Sequence, residues 1–343
     1  MSFSLLWCII MVGEVIYMKQ IKKYKHIMLI SIFILIIAVF SMTNLYFKRN
    51  GQFKRYFVRS NQYFFICKFP NLNITGFKSG SSIFDTHIIN IEKGKFINAG
   101  MINENNKLFY ILENDSIKFY DFQGKIRYSY GYTDSGKEII SGCISNLNGG
   151  DTPEILILTG NKNEEYGDEL IIYSYDNKLK EIFRQSFKEL NPWKVQTADV
   201  DGDGIKEISI GVYKTAKFHS VLSRRPFIYN WDGKEVSPKW LGSRLSRPFE
   251  DYVFCDIDND KMDEIVAVEV LQDGRKALNS YKWKGFGFEA IGGSESYTDI
   301  ADLSVYRDNT LKQNISARIK GRNKWKQVDF IYENNKLTVF NTK

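Results

Sequence analysis

Short runs of alternating apolar and polar positions dominate the chain from about residue 55 to its end. The clearest recurrence is a pair of aromatic residues one position apart, followed by a Gly, Asn or Asp turn and a further β-rich run. The copies are Tyr120-Asp121-Phe122, Tyr173-Ser174-Tyr175, Tyr229-Asn230-Trp231, Tyr281-Lys282-Trp283 and Phe330-Ile331-Tyr332. Their second aromatic residues are 53, 56, 52 and 49 positions apart, and Phe69 lies another 53 positions upstream as a worn sixth copy. Each copy predicts a β-hairpin.

The spacing of these hairpins indicates a repeat architecture. A repeat of about 40 to 50 residues built from short strands is typical of a β-propeller blade. We therefore predict an all-β domain over residues 48–343, a β-propeller of about five or six four-stranded blades. A β-sandwich with coincidental spacing is the alternative, and the near-equal intervals disfavour it.

A second apolar pattern, near the N-terminus, is continuous rather than alternating. Residues 27–47 contain no charge and are long enough to cross a bilayer as one helix. We predict a transmembrane signal anchor there, with residues 1–26 as a cytoplasmic tail and the C-terminal domain extracytoplasmic. Residues 1–17 are either an upstream extension of the reading frame, with Met18 as the start, or an interfacial segment. Secretion after cleavage of a signal peptide is the alternative to anchoring.

The formal net charge of +7 invites a nucleic-acid or membrane interpretation. Residues 1–50 hold six Lys or Arg and one acid, so the remainder carries 41 bases against 39 acids. The excess charge therefore flanks the apolar segment and belongs to targeting. The near-neutral body shows no nucleic-acid motif, which disfavours a nucleic-acid partner. Four distant cysteines without a CxxC pair exclude a disulfide scaffold, and Cys143 and Cys255 are predicted as isolated buried thiols.

Three polar loops recur with the same period, each followed by an apolar strand. We call them the 146 loop (146–154), the 199 loop (199–207) and the 256 loop (256–264). Their starts are 53 and 57 residues apart. In the 199 and 256 loops acids alternate along a tight turn, so their oxygens converge on one point. Calcium takes six to eight such oxygens, and we predict calcium as the cofactor.

The predicted calcium ligands are side-chain oxygens at loop positions 1, 3, 5 and 9 and the carbonyl oxygen at position 7. The two sets are Asp199, Asp201, Asp203, Ile205 and Glu207, and Asp256, Asp258, Asp260, Met262 and Glu264. In the 146 loop the candidates are Asn146, Asn148 and Glu154, and Gly150 brings no side chain, so we expect low affinity or no ion. An EF-hand is excluded, because the twelfth residues are Ile210 and Ala267 rather than Glu.

The nine-residue D-x-D-G-D-G-x-x-E pattern before an apolar strand, repeated at this period, resembles the FG-GAP/VCBS-type repeats. These repeats occur in integrin-α-like propellers and in many exported bacterial proteins. The resemblance is strong over roughly 140–290 and weak on either side. It implies a calcium-stabilised β-propeller that serves as a recognition or adhesion module. The chain departs from the family in lacking a Phe-Gly followed by Gly-Ala-Pro and in ending each loop with Glu instead of Asp.

A basic and aromatic segment between residues 213 and 252 is the candidate ligand site. Guanidinium groups pair with carboxylate or phosphate, and aromatic rings stack on sugar faces, so we predict a glycan or an anionic cell-envelope polymer as partner. The predicted ligand-binding residues are Arg224, Arg225, Arg244, Arg247 and Trp240. Within this segment, residues 223–227 and 246–249 are predicted as two related turns. The alternative is a blade surface with ordinary basic turns and core aromatic residues, in which Trp231 packs inside the blade.

Signals for catalysis are few. The sequence contains no G-x-S-x-G, H-E-x-x-H or P-loop pattern. We therefore predict a membrane-anchored extracytoplasmic binding or adhesion protein rather than an enzyme. One alternative is a surface carbohydrate-active enzyme, a lyase or hydrolase, for which His219 is the residue to test. Another is an accessory subunit of an envelope complex, in which the domain is only a docking face.

Overall fold

A computed structural model describes most of the chain from Gln52 onward. The described residues are 52–59, 62–69, 72–78, 86–89, 96–103, 108–121, 125–132, 134, 136–147, 149–150, 153–176, 178–307, 312–321 and 324–342. The predicted tail and anchor, residues 1–47, and the predicted ligand Asn148 lie outside them. Within these ranges no helix has the length and apolar character needed to cross a membrane.

Two compact units divide the chain. One is Met1–Phe53 with Cys67–Asn73, and the other is Lys54–Ile66 with Ile74–Lys343. In the first unit the description covers only residues 52–53, 67–69 and 72–73, which belong to strands. All the side-chain contacts that follow lie within the second unit.

The described residues form 24 strands and one 3-10 turn, Lys188–Leu190, and the strands fall in chain order into six groups of four, which we call meanders. The first meander is β1 (Gln52–Arg59), β2 (Gln62–Phe69), β3 (Leu72–Lys78) and β4 (Thr86–Ile89). The second is β5 (Phe96–Asn103), β6 (Leu108–Glu113), β7 (Ser116–Asp121) and β8 (Ile126–Gly131). The third is β9 (Lys137–Ser145), β10 (Glu154–Asn161), β11 (Glu169–Tyr175) and β12 (Leu179–Ser186).

The remaining three meanders carry the candidate site. The fourth is β13 (Pro192–Ala198), β14 (Glu207–Ala216), β15 (His219–Trp231) and β16 (Val236–Trp240). The fifth is β17 (Phe249–Cys255), β18 (Glu264–Val270), β19 (Lys276–Trp283) and β20 (Phe288–Gly293). The sixth is β21 (Asp299–Arg307), β22 (Gln313–Lys320), β23 (Trp325–Glu333) and β24 (Lys336–Thr342). The predicted all-β class is confirmed.

Within the second to sixth meanders consecutive strands pair antiparallel, as in the register Ile208 opposite Tyr229. The fifth and sixth meanders share one eight-stranded sheet through a single parallel pair, Gly293 and Lys336. First strands of successive meanders contact one another in series, from β5 through β9, β13 and β17 to β21. The six meanders therefore repeat one local architecture along the chain.

Burial falls from the second strand of a meander to the fourth. Strand β10 is buried at seven consecutive positions, which suits a strand covered on both faces. Strand β12, the fourth of the same meander, is exposed or half-buried along its whole length. The core of the third meander is accordingly made mainly by its inner strands.

The aromatic copies take the place that the sequence predicts for them. Tyr175, Trp231, Trp283 and Tyr332 lie at or near the ends of third strands, each followed by a turn and the fourth strand of its meander. Trp231 is buried and meets the ring of Phe183, on β12 of the third meander, edge-on at 5.3 Å, so it packs between the third and fourth meanders. Phe69 instead ends β2, a second strand, and does not occupy the position of the other copies.

One predicted turn is wrong. Residues 223–227 lie inside strand β15, where Pro226 stands opposite Gly211. The β14–β15 hairpin extends beyond these residues as far as the pair Ala216 and His219, so its turn lies further out than expected. Residues 246–249 run from a bend into the first residue of β17.

Candidate functional site

Each of the three loops joins the first strand of a meander to its second. The 199 loop links β13 to β14, the 256 loop links β17 to β18, and the 146 loop links β9 to β10. Position 9 of each loop is the first residue of the following strand. Strands on both sides agree with the exclusion of an EF-hand.

A buried glutamate closes all three loops in the same way. One carboxylate oxygen of the position-9 glutamate accepts the backbone N–H of the position-2 residue, and that residue is itself buried. The pairs are Glu154 with Leu147 at 2.9 Å, Glu207 with Val200 at 3.0 Å and Glu264 with Ile257 at 3.0 Å. We call this contact the glutamate brace. At Glu207 and Glu264 the brace uses Oε2, and the other oxygen, Oε1, faces a second partner.

The first aspartate of the 199 loop organises its backbone. The two oxygens of Asp199 accept the N–H groups of Gly202, at 2.7 Å, and Gly204, at 2.9 Å. Both glycines have positive φ, +76° and +85°, which L side chains rarely adopt. Asp203 then accepts the N–H of Ile205 at 2.8 Å.

The 256 loop reaches the same geometry without glycine. Asp256 accepts the N–H groups of Asp260 and Lys261, each at 3.1 Å, and Asp260 accepts that of Met262 at 3.0 Å. Asn259 and Lys261 have φ of +62° and +74° at the two positions that glycines fill in the 199 loop. A lysine in this conformation is strained, so contacts elsewhere in the loop must hold it.

These turns bring three carboxylates together in each loop. One oxygen from each of Asp199, Asp201 and Asp203 lies within 4.8 Å of the others, and the same is true of Asp256, Asp258 and Asp260. Carboxylate oxygens at this spacing are the donor set that a hard divalent cation takes. The aspartates predicted as ligands in these two loops are therefore gathered at one point per loop.

A lysine ammonium already lies against each of these clusters. Lys282 Nζ is 2.7 Å from Asp258, 2.7 Å from Asp260 and 2.8 Å from Glu264. Lys239 Nζ contacts Asp201 and Glu207, the equivalent positions 3 and 9 of the 199 loop. Sequence reasoning missed both lysines.

The pKa shifts follow from burial and from this pairing. Burial raises the pKa of Glu264 to about 7, although Lys282 and the Ile257 N–H act in the opposite direction. Burial also raises the pKa of Glu207. For Lys239 and Lys282, burial lowers the pKa, but hydrogen bonds to the carboxylates outweigh it and the net pKa is raised. Both ammonium groups therefore remain charged at neutral pH.

The 199 and 256 loops touch each other. The backbone N–H of Asp199 donates to the Asp263 carboxylate at 3.0 Å, and the Asp263 N–H donates to the Asp199 carbonyl at 2.7 Å. A Cβ placed on Gly202 would stand 2.9 Å from the Met262 side chain. We call this double hydrogen bond the Asp199–Asp263 link.

The 146 loop has fewer of the features described for the 199 and 256 loops. Asn146 donates to the carbonyl of Gly150, so its amide is used within the loop. Gly149 has a φ of +68°, matching Gly202 in position. The loop therefore keeps the backbone shape and the glutamate brace but presents no described aspartate at position 1 or 5.

The five predicted ligand-binding residues lie in different surroundings. Arg225 is fully buried, and its guanidinium donates to the carbonyls of Lys214 and Val221, each at 2.9 Å, and lies 3.1 Å from His219 Nδ1. Arg225 and His219 thus hold the long β14–β15 hairpin together.

The other four predicted residues are closer to solvent. Arg244 is exposed, Arg247 pairs with Glu269 at 3.3 Å, and Trp240 meets Phe288 edge-on at 5.0 Å. Arg224 differs from them because it lines a cavity of about 440 Å³.

First strands of three meanders supply most of this cavity's lining. Trp193 comes from β13, Glu250 and Asp251 from β17, and residues 299–303 from β21. Arg224 stacks on Trp193 with its guanidinium carbon 4.6 Å from the ring centre. On the sixth meander Arg318 lies 4.9 Å from the ring centre of Trp325. An arginine guanidinium therefore lies over the ring of each tryptophan in the lining.

Four carboxylates face the same cavity, and each pairs with a base. Lys276 Nζ is 2.5 Å from both Glu250 and Asp299. Lys194 pairs with Asp251 at 2.6 Å, and Arg318 pairs with Asp302. Asp302 has a φ of +54° at a register shift in β21, a strained conformation of the kind found at functional sites. The lining thus contains both hydrogen-bond donors and acceptors.

No protein-family model matches the chain, and a search of curated proteins finds no match. The candidate site therefore has to be interpreted from its own geometry.

Proposed function

We propose that this protein is an extracytoplasmic carbohydrate-binding β-propeller whose loops take calcium. The observation that carries the proposal is the cavity, in which two tryptophans and alternating acids and bases meet. Its volume of about 440 Å³ lies within the range of small-ligand sites, which is about 300–1,000 Å³.

The propeller is supported by the serial contact of first strands. From the second meander to the sixth, sheets of four antiparallel strands touch the next through their first strands, as propeller blades require. Membrane anchoring and an extracytoplasmic location rest on the apolar segment 27–47 in the sequence.

The cavity chemistry favours a neutral or amine-bearing sugar over an anionic polymer. Four carboxylates and only two bases, Arg224 and Lys276, belong to the lining itself. An anionic chain would face these carboxylates, whereas sugar hydroxyls both donate to carboxylates and accept from the bases. Trp325, with 38% of its surface exposed, offers the aromatic face on which a sugar ring stacks. We therefore choose the glycan over the anionic cell-envelope polymer.

Calcium fits the two acidic loops by donor chemistry. Asp199, Asp201, Asp203 and Glu207 would hold one ion, and Asp256, Asp258, Asp260 and Glu264 a second. When bound, the ion supplies two positive charges to carboxylates that repel one another. One oxygen of Asp201 is buried without a hydrogen-bond partner, which leaves it available to a cation.

Two sets of variants of the full-length chain test the carbohydrate part and the calcium part of the proposal separately. Trp325→Ala and Asp302→Ala should weaken binding on an array of neutral and amino-sugar oligosaccharides by more than tenfold, without changing calcium stoichiometry. Asp199→Ala and Asp256→Ala should each remove one calcium per chain, measured by equilibrium dialysis. Phe286→Ala is the control, since Phe286 is 82% exposed and does not line the cavity. Unchanged glycan binding by both cavity variants would reject the carbohydrate site.

A further inference from the structure

We propose that Lys239 and Lys282 are internal counter-cations that occupy the calcium positions of the 199 and 256 loops, and that calcium binds by displacing them. The proposal rests on the calcium sites proposed above and adds how the chain itself controls their filling.

The contacts place the ammonium groups where a cation is needed. Lys282 Nζ is within 2.8 Å of carboxylates at loop positions 3, 5 and 9, and Lys239 reaches positions 3 and 9 of its own loop. The Glu264 side chain is completely buried, and the oxygen not used in its glutamate brace faces Lys282. A buried carboxylate without a positive partner is costly, so a cation at this point stabilises the loop whether or not metal is present.

The two lysines reach equivalent points from non-equivalent strands. Lys282 lies on the third strand β19, one residue beyond the pair of Tyr281 with Ile265, and so lies beside Glu264. In the fourth meander the matching residue is Asn230, which carries no charge. There the lysine comes from the fourth strand β16, where Lys239 falls at a register shift between Pro238 and Trp240.

The register-shift position has a different residue in the fifth meander. Ile291 takes the place that Lys239 has in the fourth, between Ala290 and Gly292, and packs against the core. Each acidic loop therefore has one lysine, supplied by either of two strands. Two routes to one point indicate that the loop requires the charge rather than a particular strand.

The third meander supplies the contrast within the same chain. Opposite Glu154 on the third strand stands Ser174, and at the register shift of the fourth strand stands Ile182. Neither position holds a lysine, and the 146 loop has Asn146 and Gly150 where the other loops have aspartates. Lysine and the aspartates are thus present together in two loops and absent together, at these positions, in the third.

Displacement of the lysine sets the calcium affinity. A divalent ion and an ammonium group cannot share one cluster of carboxylates, and the lysine's four-carbon stem lets its charge move out to solvent. Calcium binding therefore has to overcome the existing ion pairs, which makes the sites weaker than bare clusters and closed in the absence of metal.

Calcium titration of the full-length protein tests this directly. Lys282→Met and Lys239→Met should each raise calcium affinity by about tenfold at one site, because a positive charge in contact with the carboxylates is removed. The same variants should melt at lower temperature than wild type in excess chelator, and calcium should restore them. Lys282→Gln keeps a hydrogen-bond donor and serves as a milder variant. Lys284→Met is the control, because Lys284 is exposed and two residues away.

The outcomes separate this proposal from the calcium proposal. If wild type binds calcium and both lysine variants bind it with the same affinity, displacement is wrong while the calcium sites stand. If only the variants bind calcium, the lysines occupy the sites but calcium does not displace them, so both displacement and the wild-type calcium sites are wrong. If neither wild type nor the variants bind calcium, both the displacement proposal and the calcium proposal are wrong. If the variants melt at lower temperature in chelator but bind calcium no more tightly than wild type, the lysines form structural ion pairs only.

Discussion

The 146 and 256 loops occupy the same place in the third and fifth meanders, yet they differ in charge. Both are closed by a buried glutamate that accepts the N–H of a buried position-2 residue, Leu147 or Ile257. The 256 loop adds three clustered aspartates and Lys282, whereas the 146 loop has Asn146 and Gly150. The shared part needs no aspartate cluster. The shape of the turn is therefore set by the glutamate brace, and the aspartates and lysine are an addition to it.

Removing the glutamate brace should have the largest effect. Glu264→Ala should lower the free energy of unfolding by about 3 kcal/mol in chelator, because it orphans the Ile257 N–H and leaves Lys282 without a buried partner. Glu154→Ala should cost about 1–2 kcal/mol through the loss of the Leu147 hydrogen bond. Urea unfolding measures both, with Glu264→Gln as the control that keeps an acceptor. If neither Glu264→Ala nor Glu154→Ala lowered the free energy of unfolding, the glutamate brace would not stabilise the loops.

Adding carboxylates to the 146 loop should have an effect of intermediate size on the free energy of unfolding. The double variant Asn146→Asp with Gly150→Asp restores carboxylates at positions 1 and 5, and a Cβ at Gly150 meets no atom within 4 Å. In chelator this variant should lose roughly 0.5–1 kcal/mol, since no lysine stands at the matching positions to offset the added charge. In calcium it should bind one more ion per chain than wild type. Asn146→Ala with Gly150→Ala is the control, and an unaltered ion count in the aspartate variant would show that the loop lacks more than acids.

Thiol labelling should show the smallest effect. Cys255 directly precedes the 256 loop and is completely buried, and burial raises its pKa, so the thiolate is scarce. Burial likewise raises the pKa of Cys143 to about 12. We expect slow alkylation of both at pH 8, unchanged by chelator, because Lys282 keeps the 256 loop closed without metal. Peptide mapping by mass spectrometry measures each site, with the urea-unfolded chain as the reactive control. Faster labelling of Cys255 in chelator would indicate a loop that opens.

Sequence patterns predicted the parts of this molecule that depend on neighbouring residues. The aromatic pairs fix hairpins between third and fourth strands, and alternate aspartates fix the two clusters, because both act over fewer than ten residues. Cys255 is confirmed as a buried free thiol, whereas Cys143 is free but only half-buried. The predicted calcium, glycan and membrane anchor remain predictions.

The missed features depend on contacts between distant strands. Lys239 lies 32 residues from Glu207, and only the register shift in β16 brings it there. The cavity joins Trp193 to Trp325 through three meanders, which no spacing along the chain reveals. Arg225 resembles a surface arginine in sequence but is buried, because the β14–β15 hairpin is longer than its turn signals indicate.

The Asp199–Asp263 link has a consequence for how the two loops fill. It fixes the first residue of the 199 loop to the eighth residue of the 256 loop through two hydrogen bonds. Asp199, at position 1 of the 199 loop, is therefore bonded to the residue that directly precedes Glu264, at position 9 of the 256 loop. An ion that tightens either loop reduces the freedom the other still has to lose, so their occupancies are thermodynamically coupled and filling should be cooperative. If the two loops bind calcium as proposed, the pair would respond over a narrower concentration range than two separate sites would.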